Sequence, residues 1–454
     1  MSPGTASRAV VIGAGLAGLT AADQLLAAGV EVVVLEARQR VGGRTRGIEV
    51  APGEWADAGA AYLGERHTEL VDLLARLGLK TAPTAMEGDS RFMFGSGGST
   101  RHGRFPPLNA VALGDMFELL DELVREVDPH GPWLTAGADR LDQLTAADWA
   151  DQHLRHEDAR LFFPLFLGEM MAADPADVSM LHVAFYLRAG GGISYLNDFE
   201  GGAQDSRVDG GAHRICELLA EGLPEGALRL GEPVVAVHDS ADAVTVHTER
   251  ASYDADAVVV AVPPRLAQEL DVVPAVPHPR ATSRTGRGCA VKVQLVYPEP
   301  VWRRDGLSGW SVNAEGPLLS TVDDSPHHGS AGMLTGFVTG AAAHAYATLT
   351  HREQVEAATA QAARIFPDLP PPLAVHVTDW LGEEWSRGCY AALFGPGDWT
   401  RLGPHLTRPH GRIHWAGTET STEFFGLMEG AVRSGRRAAA DILCATQPEA
   451  GARS

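Results

Sequence analysis

Gly13-x-Gly15-x-x-Gly18 stands between the apolar run Ala9-Val10-Val11-Ile12 and a helix-period stretch over 16–28, and Glu36 ends the next apolar run 18 residues after the last glycine. Each part has a mechanical task. Gly13 makes a tight turn, Gly15 lets backbone approach a pyrophosphate, Gly18 permits close helix packing, and the helix N-terminus faces negative charge. Glu36 is placed to accept from ribose hydroxyls. A glycine-rich structural turn is the plainer alternative, but the strand-turn-helix setting with the acid in place favours a dinucleotide site. A second glycine turn follows: Glu36-Ala37-Arg38, then Val41-Gly42-Gly43-Arg44-Thr45. It offers more phosphate and ribityl contacts than NAD needs, so FAD is favoured, with NAD left open on these residues alone.

Other reactive types are ambiguous by themselves. Lys292 and Gln294 share one face of a strand pattern, with Val291, Val293 and Leu295 on the other, as in a half-exposed strand. Cys389 reads as a small buried hydrophobe. Ala416-Gly417-Thr418 fits any helix-entry turn with a threonine cap. His327-His328 lacks ligand spacing, so no metal is expected. The four cysteines, Cys216, Cys289, Cys389 and Cys444, are far apart and form no C-x-x-C, which indicates neither a disulfide framework nor a zinc site.

The elements that must hold these residues begin with a βαβ unit over 9–36, closed by the helix stop Gly29. Residues 116–187 are helical in pattern. After Gly190-Gly191-Gly192 come short strands at 234–237, 243–247 and 257–262, the last stopped by Pro263-Pro264, which read as a return to the first sheet. Further strands are expected at 289–297 and 331–340, a helix at 352–365, and a final helix at 431–444 with small residues facing inward. At 454 residues, with 45% hydrophobic and 21% charged, the chain can fold as two domains, or as one large domain with an insertion, and bury a cofactor. A formal charge of -21 argues against nucleic acid and anionic lipid. No basic region plus apolar core precedes the glycine motif, and no apolar run reaches the ~18 residues of a membrane span. The expectation is an unanchored cytoplasmic protein, with a homodimer left open.

The opening motifs resemble the flavin-containing amine oxidase family. The resemblance resumes at Gln204-Asp205-Ser206-Arg207-Val208-Asp209-Gly210-Gly211, at Gly231-Glu232-Pro233-Val234 and at Asp256-Ala257-Val258-Val259-Val260. It is strongest in Lys292-Val293-Gln294-Leu295-Val296-Tyr297, in Pro300-Val301-Trp302-Arg303 and over 380–431, where the chain looks most like the monoamine oxidases. This implies an α/β, two-domain fold: a Rossmann-like FAD-binding domain with an inserted mixed-sheet and helical substrate domain. The implied boundaries are 7–80, 205–285 and 385–454 for FAD, and 81–204 and 286–384 for substrate.

By that resemblance Lys292 lies against the flavin N5 through a water and promotes reaction with oxygen. Cys389, in Ser386-Arg387-Gly388-Cys389-Tyr390, matches the cysteine that forms a thioether to the flavin 8α carbon, although Arg387 stands where the family pattern has glycine. Trp380, Val234, Gly417, Thr418, Glu419 and Met428 fall on further FAD positions. Tyr390 matches one half of the aromatic pair that flanks a substrate amine. The other half is missing, since Leu427 precedes Met428-Glu429-Gly430-Ala431, which suggests a differently shaped pocket. Gln204 is assigned to the pocket by its match, and Tyr195 and Phe199 only by proximity, with packing at a domain junction as the alternative.

The implied reaction is FAD-dependent oxidation of an amine C–N bond to an imine, hydrolysed to aldehyde or ketone, with oxygen reduced to hydrogen peroxide. No general base is evident. One alternative is a biosynthetic oxidase of an amide, amino acid or ring nitrogen in a larger intermediate. An amino acid would demand an arginine, for which Arg188, Arg303 and Arg304 are candidates. A non-catalytic flavin-bearing binding protein is the other alternative, and Lys292, Tyr390 and Cys389 together argue against it.

Overall fold

The computed structural model describes residues 7–95, 97–278, 288–328 and 330–445. The expected boundary at 285/286 and the tail from 446 to 454 lie outside the described residues.

The βαβ unit forms from a strand Arg8–Ile12, a helix Leu16–Ala27 and a strand Glu31–Glu36. It nucleates a parallel sheet in the order Leu228–Leu230, Glu31–Glu36, Arg8–Ile12, Ala257–Val260, Ile413–Trp415. Its strands are continuous apolar runs because both faces are covered. Ala9, Val11, Val32, Val34 and Val259 pack under the helices Leu16–Ala27, His213–Glu221 and Met428–Ala445. Val10, Ile12, Val33, Leu35, Val258 and Val260 pack instead against Val237, Val244, Val246 and Val272.

Those last four residues belong to a separate sheet, ordered Ser252–Ala255, Val244–Thr248, Val234–Asp239, Asp271–Val273. The expected return of 234–237 and 243–247 to the first sheet is therefore corrected. Only 257–260 returns, and the other two strands lie across its face as a second layer. Alternating burial in Val244–Thr248 marks a sheet with one wet face, whereas Ala257–Val260 is buried throughout.

A mixed sheet of seven strands carries the far side of the molecule. Its order is Ala374–Asp379, Ala290–Tyr297, Gly332–Thr339, Ser320–Asp323, Leu307–Asn313, Asp89–Phe94, Gly97–His102. Helices Gly340–Ala347 and His351–Ile365 cover one face through Ala343, Tyr346, Ala358, Ala362 and Ile365. Thr350 and Glu353 form a reciprocal capping box that starts the longer helix. A third core gathers helices between Ala110 and Asn197 around Trp399, Phe394 and Phe425, so residues 391–406 pack with helices far earlier in the chain. Among the described residues no helix is long and apolar enough to cross a membrane.

Candidate active site

A single cavity of about 580 Å³ runs from the first glycine turn to the face of the seven-stranded sheet. At its near end stand Gly13, Gly15, Glu36, Ala37, Arg38 and Val234. Gly13 adopts φ +101, and a Cβ there would meet the Ala261 carbonyl at 3.0 Å. Gly18 does not line the cavity. Its missing Cβ lets the helix close on the turn, since an added one would fall 2.0 Å from the Gly13 carbonyl oxygen. The buried Glu36 carboxylate, expected to accept from ribose hydroxyls, lines the cavity and accepts from Ala14 N at 2.8 Å and Arg38 N at 3.0 Å, so it also braces the glycine turn. The Arg38 guanidinium donates onward to Glu383 and Ser386, which ties the near end to the loop before Cys389.

Gly15 faces Gly43 across a gap, with only the Gly43 Cα within 4.0 Å of a Cβ added at Gly15. Here two backbone turns approach without side chains, and Gly42, Arg44, Thr45, Gly417, Thr418 and Met428 complete the middle of the cavity. Thr45 donates to the Gly42 carbonyl at 2.8 Å and so fixes the second turn. Arg44 makes a bidentate pair with Glu419, at 2.6 and 3.0 Å, and also donates to the Tyr390 carbonyl at 2.9 Å. Burial works against the Glu419 charge, but Arg44 holds its carboxyl below the usual carboxylate range. Glu419 itself does not line the cavity; it positions Arg44.

At the far end Lys292, Phe337, Trp380, Trp385, Cys389, Tyr390, Gln204 and Leu427 enclose the space. Lys292 is 4% exposed and Gln294 is 0% exposed, so the half-exposed strand expected there is corrected. The polar face of Ala290–Tyr297 is pressed against residues 57–59, and Lys292 Nζ donates to the carbonyls of Asp57 at 2.6 Å and Gly59 at 3.1 Å. Burial lowers the Lys292 pKa, against upward pulls from Asp324 and Asp57. It pushes the Asp57 carboxyl up to about 6 despite Lys292. Two groups that would each be charged in water are thus driven toward neutrality together.

Cys389 is 6% exposed, and burial pushes its thiol up to about 11, against Arg44 and Lys292. Burial also raises the Tyr390 hydroxyl well above its ordinary value. Arg387 takes φ +53, the left-handed region that favours glycine, and its guanidinium turns to Glu269 at 2.5 and 2.8 Å. Trp380 Nε1 donates to the Ala58 carbonyl at 2.9 Å, anchoring the wall beside Cys389.

Two expected lining residues are corrected. Tyr195 turns its hydroxyl to accept from Arg66 N at 3.1 Å, with its ring under the Arg66 guanidinium and edge-on to Phe424. Phe199 packs with Phe92 and Trp310 and edge-on to Tyr62. Neither lines the cavity. The residue that does is Tyr62, whose hydroxyl donates to Asp324 at 3.0 Å, and Asp324 in turn is paired with Arg207 at 3.2 Å. This Tyr62–Asp324–Arg207 chain was not singled out from the sequence as part of the site. Only Arg207 had a signal, through its place three residues after Gln204.

These residues fit FAD. One continuous space joins a glycine turn at a helix N-terminus, a side-chain-free middle where Gly15 meets Gly43, and a buried aromatic end, as a dinucleotide with a large planar ring requires.

Comparison with known proteins agrees. The family model for flavin-containing amine oxidoreductases matches residues 16–443. The probable flavin-containing monoamine oxidase A of Dictyostelium discoideum is 36% identical over 441 residues, 95% of this chain and 96% of that one. The flavin-containing amine oxidase B of Sus scrofa is 32% identical, covering 96% of this chain and 85% of its own. Among solved structures, cyclohexylamine oxidase from Brevibacterium oxydans superposes with a TM-score of 0.91 at 31% identity, over 97% of this chain and 99% of that one. Wild-type putrescine oxidase bound to putrescine superposes at 0.90 and 31%, over 96% and 99%. The chain belongs to the flavin-containing amine oxidoreductase family, and it is an FAD-dependent oxidoreductase acting on amines.

Proposed function

We propose that the chain oxidises the carbon beside an amine nitrogen at the far end of the cavity, giving an imine that water hydrolyses, with oxygen as acceptor and hydrogen peroxide as product. The observation that carries this reading is the convergence of Lys292, Cys389 and Tyr390 at one end of a cavity that begins at Gly13. Bound FAD supplies the two-electron acceptor. The protein supplies place and protonation state. Gly13, Gly15, Glu36, Arg38, Gly43, Arg44, Thr45, Val234, Gly417, Thr418 and Met428 hold the cofactor. Trp380 and Cys389 close on its ring end, Lys292 serves oxygen, and Tyr390, Gln204 and Leu427 meet the substrate. A water-poor aromatic wall favours the neutral amine, whose lone pair the reaction needs.

We further propose that Cys389 bonds to the cofactor through sulfur. Such a bond would replace the thiol proton and one methyl hydrogen of the cofactor, with oxygen taking the electron pair and both protons as hydrogen peroxide. Its support is the buried thiol on the cavity wall beside Trp380. We assign residues 7–80, 205–285 and 385–454 to cofactor binding and 81–204 and 286–384 to the substrate side, in a cytoplasmic protein.

An amino-acid substrate is disfavoured. Arg188, Arg303 and Arg304 do not line the cavity; Arg303 is paired with Asp323 and Arg304 with Glu299. The test is peroxide release across primary, secondary and cyclic amines, amino acids and amides. Peroxide from amines alone is expected, and flavin-loaded protein silent toward every amine would sink the reading. Acid precipitation should leave yellow colour in the pellet; a colourless pellet disposes of the Cys389 tether.

A further inference from the structure

Tyr62 and Arg207 come from distant segments and meet as cross-strand partners, where the strand Tyr62–Leu63 pairs with Ser206–Val208. Both turn to the same carboxylate. Asp324 follows the strand Ser320–Asp323 and is 2% exposed; its Oδ1 accepts from the Tyr62 hydroxyl at 3.0 Å and is paired with Arg207 Nη1 at 3.2 Å. Arg207 also donates to the carbonyls of Asp324 at 2.9 Å and Ser325 at 3.0 Å, so the guanidinium clamps the backbone that presents the carboxylate. Two fixed donors and a clamped backbone leave that carboxylate little freedom to turn.

The ring that Asp324 anchors stands beside Lys292. Lys292 Nζ lies 6.0 Å from the Tyr62 ring centre and 5.3 Å from that of Phe337, and it donates to the carbonyls of Asp57 and Gly59, a few residues before Tyr62 in the same segment. One short stretch, 57–62, therefore both receives the ammonium and carries a ring beside it. A phenol that donates to a carboxylate has a more electron-rich ring, which strengthens its attraction for a cation. Burial works against the Lys292 charge. Among the groups around it Asp324 sustains that charge most, ahead of Asp57, while Arg207 opposes it and Cys389 adds a smaller pull in its favour. The adjacent Asp323 is engaged elsewhere, by Trp302 at 2.8 Å and Arg303 at 2.7 Å.

We propose that Asp324 is a positioning residue for the oxygen step: its carboxylate fixes the Tyr62 ring beside Lys292 and is the counter-charge that keeps Lys292 an ammonium. Oxygen gains negative charge as it takes electrons from the reduced cofactor, and a fixed cation beside it stabilises that charge. Two cations, Lys292 and Arg207, share this end of the cavity wall, and without Asp324 each would disfavour the charge of the other.

This inference rests on the assignment of Lys292 to oxygen made above. The test uses the small number of lysines in the chain, which are the exposed Lys80 and the buried Lys292. Isotope label in lysine gives the holoenzyme two side-chain NMR signals whose change with pH reads each charge directly, with no substrate present. Wild-type Lys292 should remain charged at neutral pH, and in Asp324→Asn it should lose its proton at least about one pH unit lower. Asp323→Asn should move it less than about half as far. When reduced enzyme is mixed with oxygen, the fall in flavin reoxidation rate with rising pH should begin lower by the same interval in Asp324→Asn, while anaerobic reduction by amine keeps its wild-type pH profile. Wild-type Lys292 already neutral at neutral pH overturns the assignment without recourse to a variant. A Lys292 signal in folded, flavin-loaded Asp324→Asn that titrates with the wild type's, or an equal move in Asp323→Asn, overturns it too and leaves the oxygen role of Lys292 standing. Reoxidation unchanged in Lys292→Met removes that role, and this inference with it.

Discussion

Lys292 stands where burial opposes its charge while two carbonyls and the rings of Phe337 and Tyr62 receive it. Replacing it with methionine keeps the bulk and removes the nitrogen. Turnover in oxygen is expected to fall at least about tenfold, while anaerobic bleaching of the flavin by amine slows much less. Equal slowing of both would assign Lys292 to the wall instead of to oxygen. For Cys389 the sign is set by its raised pKa of about 11. Below that value the thiolate fraction grows about tenfold per pH unit, so acid-stable incorporation of FAD into apoprotein should quicken from neutral toward alkaline pH. A rate that is flat with pH would show that proton loss does not limit the bond. Lys292 and Cys389 could be singled out as candidates because each stands in a segment with a distinctive neighbourhood, and the structure brings both to the cavity wall. Tyr62 was not, for its place in the site arises only when the strand Tyr62–Leu63 is brought beside Asp324 at the cavity.

Between elements, the Arg44–Glu419 pair joins the second glycine turn to the turn after the strand Ile413–Trp415. Glu419→Ala leaves a buried guanidinium uncompensated and is expected to cost about 3–5 kcal/mol, seen as a lower Tm and loss of bound flavin. Glu419→Gln should lose less. The helices Leu16–Ala27 and Met428–Ala445 meet at Gly435, where a Cβ would fall 2.3 Å from the Ala17 carbonyl oxygen. Gly435→Val should therefore force the helices apart and lower Tm, whereas an exposed valine substitution elsewhere on the last helix changes little. Elements with both partners nearby were easy to read, as in the βαβ unit and the inward small residues of the last helix. The second-layer sheet at 234–255 was misread because its apolar residues look the same whether they pair edge to edge or pack face to face. The half-exposed reading of this strand's pattern failed for a related reason: polar alternation on Ala290–Tyr297 reports two different neighbours, helices on one side and residues 57–59 on the other, and no solvent.

At the scale of the molecule, several histidines are buried neutral. Burial, helped by Arg433, takes His67 from 6.5 to about 4, and burial alone takes His182 to about 3. Between those values and 6.5 the unfolded chain binds the proton and the folded one does not, so stability should fall as pH drops through 6.5 toward 4. For His67, 1% exposed, the full effect is on the order of 3 kcal/mol. His67→Gln should flatten that part of a Tm-against-pH curve, and an unchanged slope would remove His67 as its source. The walls of the cavity come from residues 12–62, 169–270, 290–337 and 380–431. A growing polypeptide therefore makes the glycine turn at Gly13–Gly18 long before the strand Ala257–Val260 that pairs with Arg8–Ile12, or Ile413–Trp415 beyond it, exists. Firm uptake of the cofactor is therefore expected only after Met428 and the helix it begins have been made, as one of the last events in maturation.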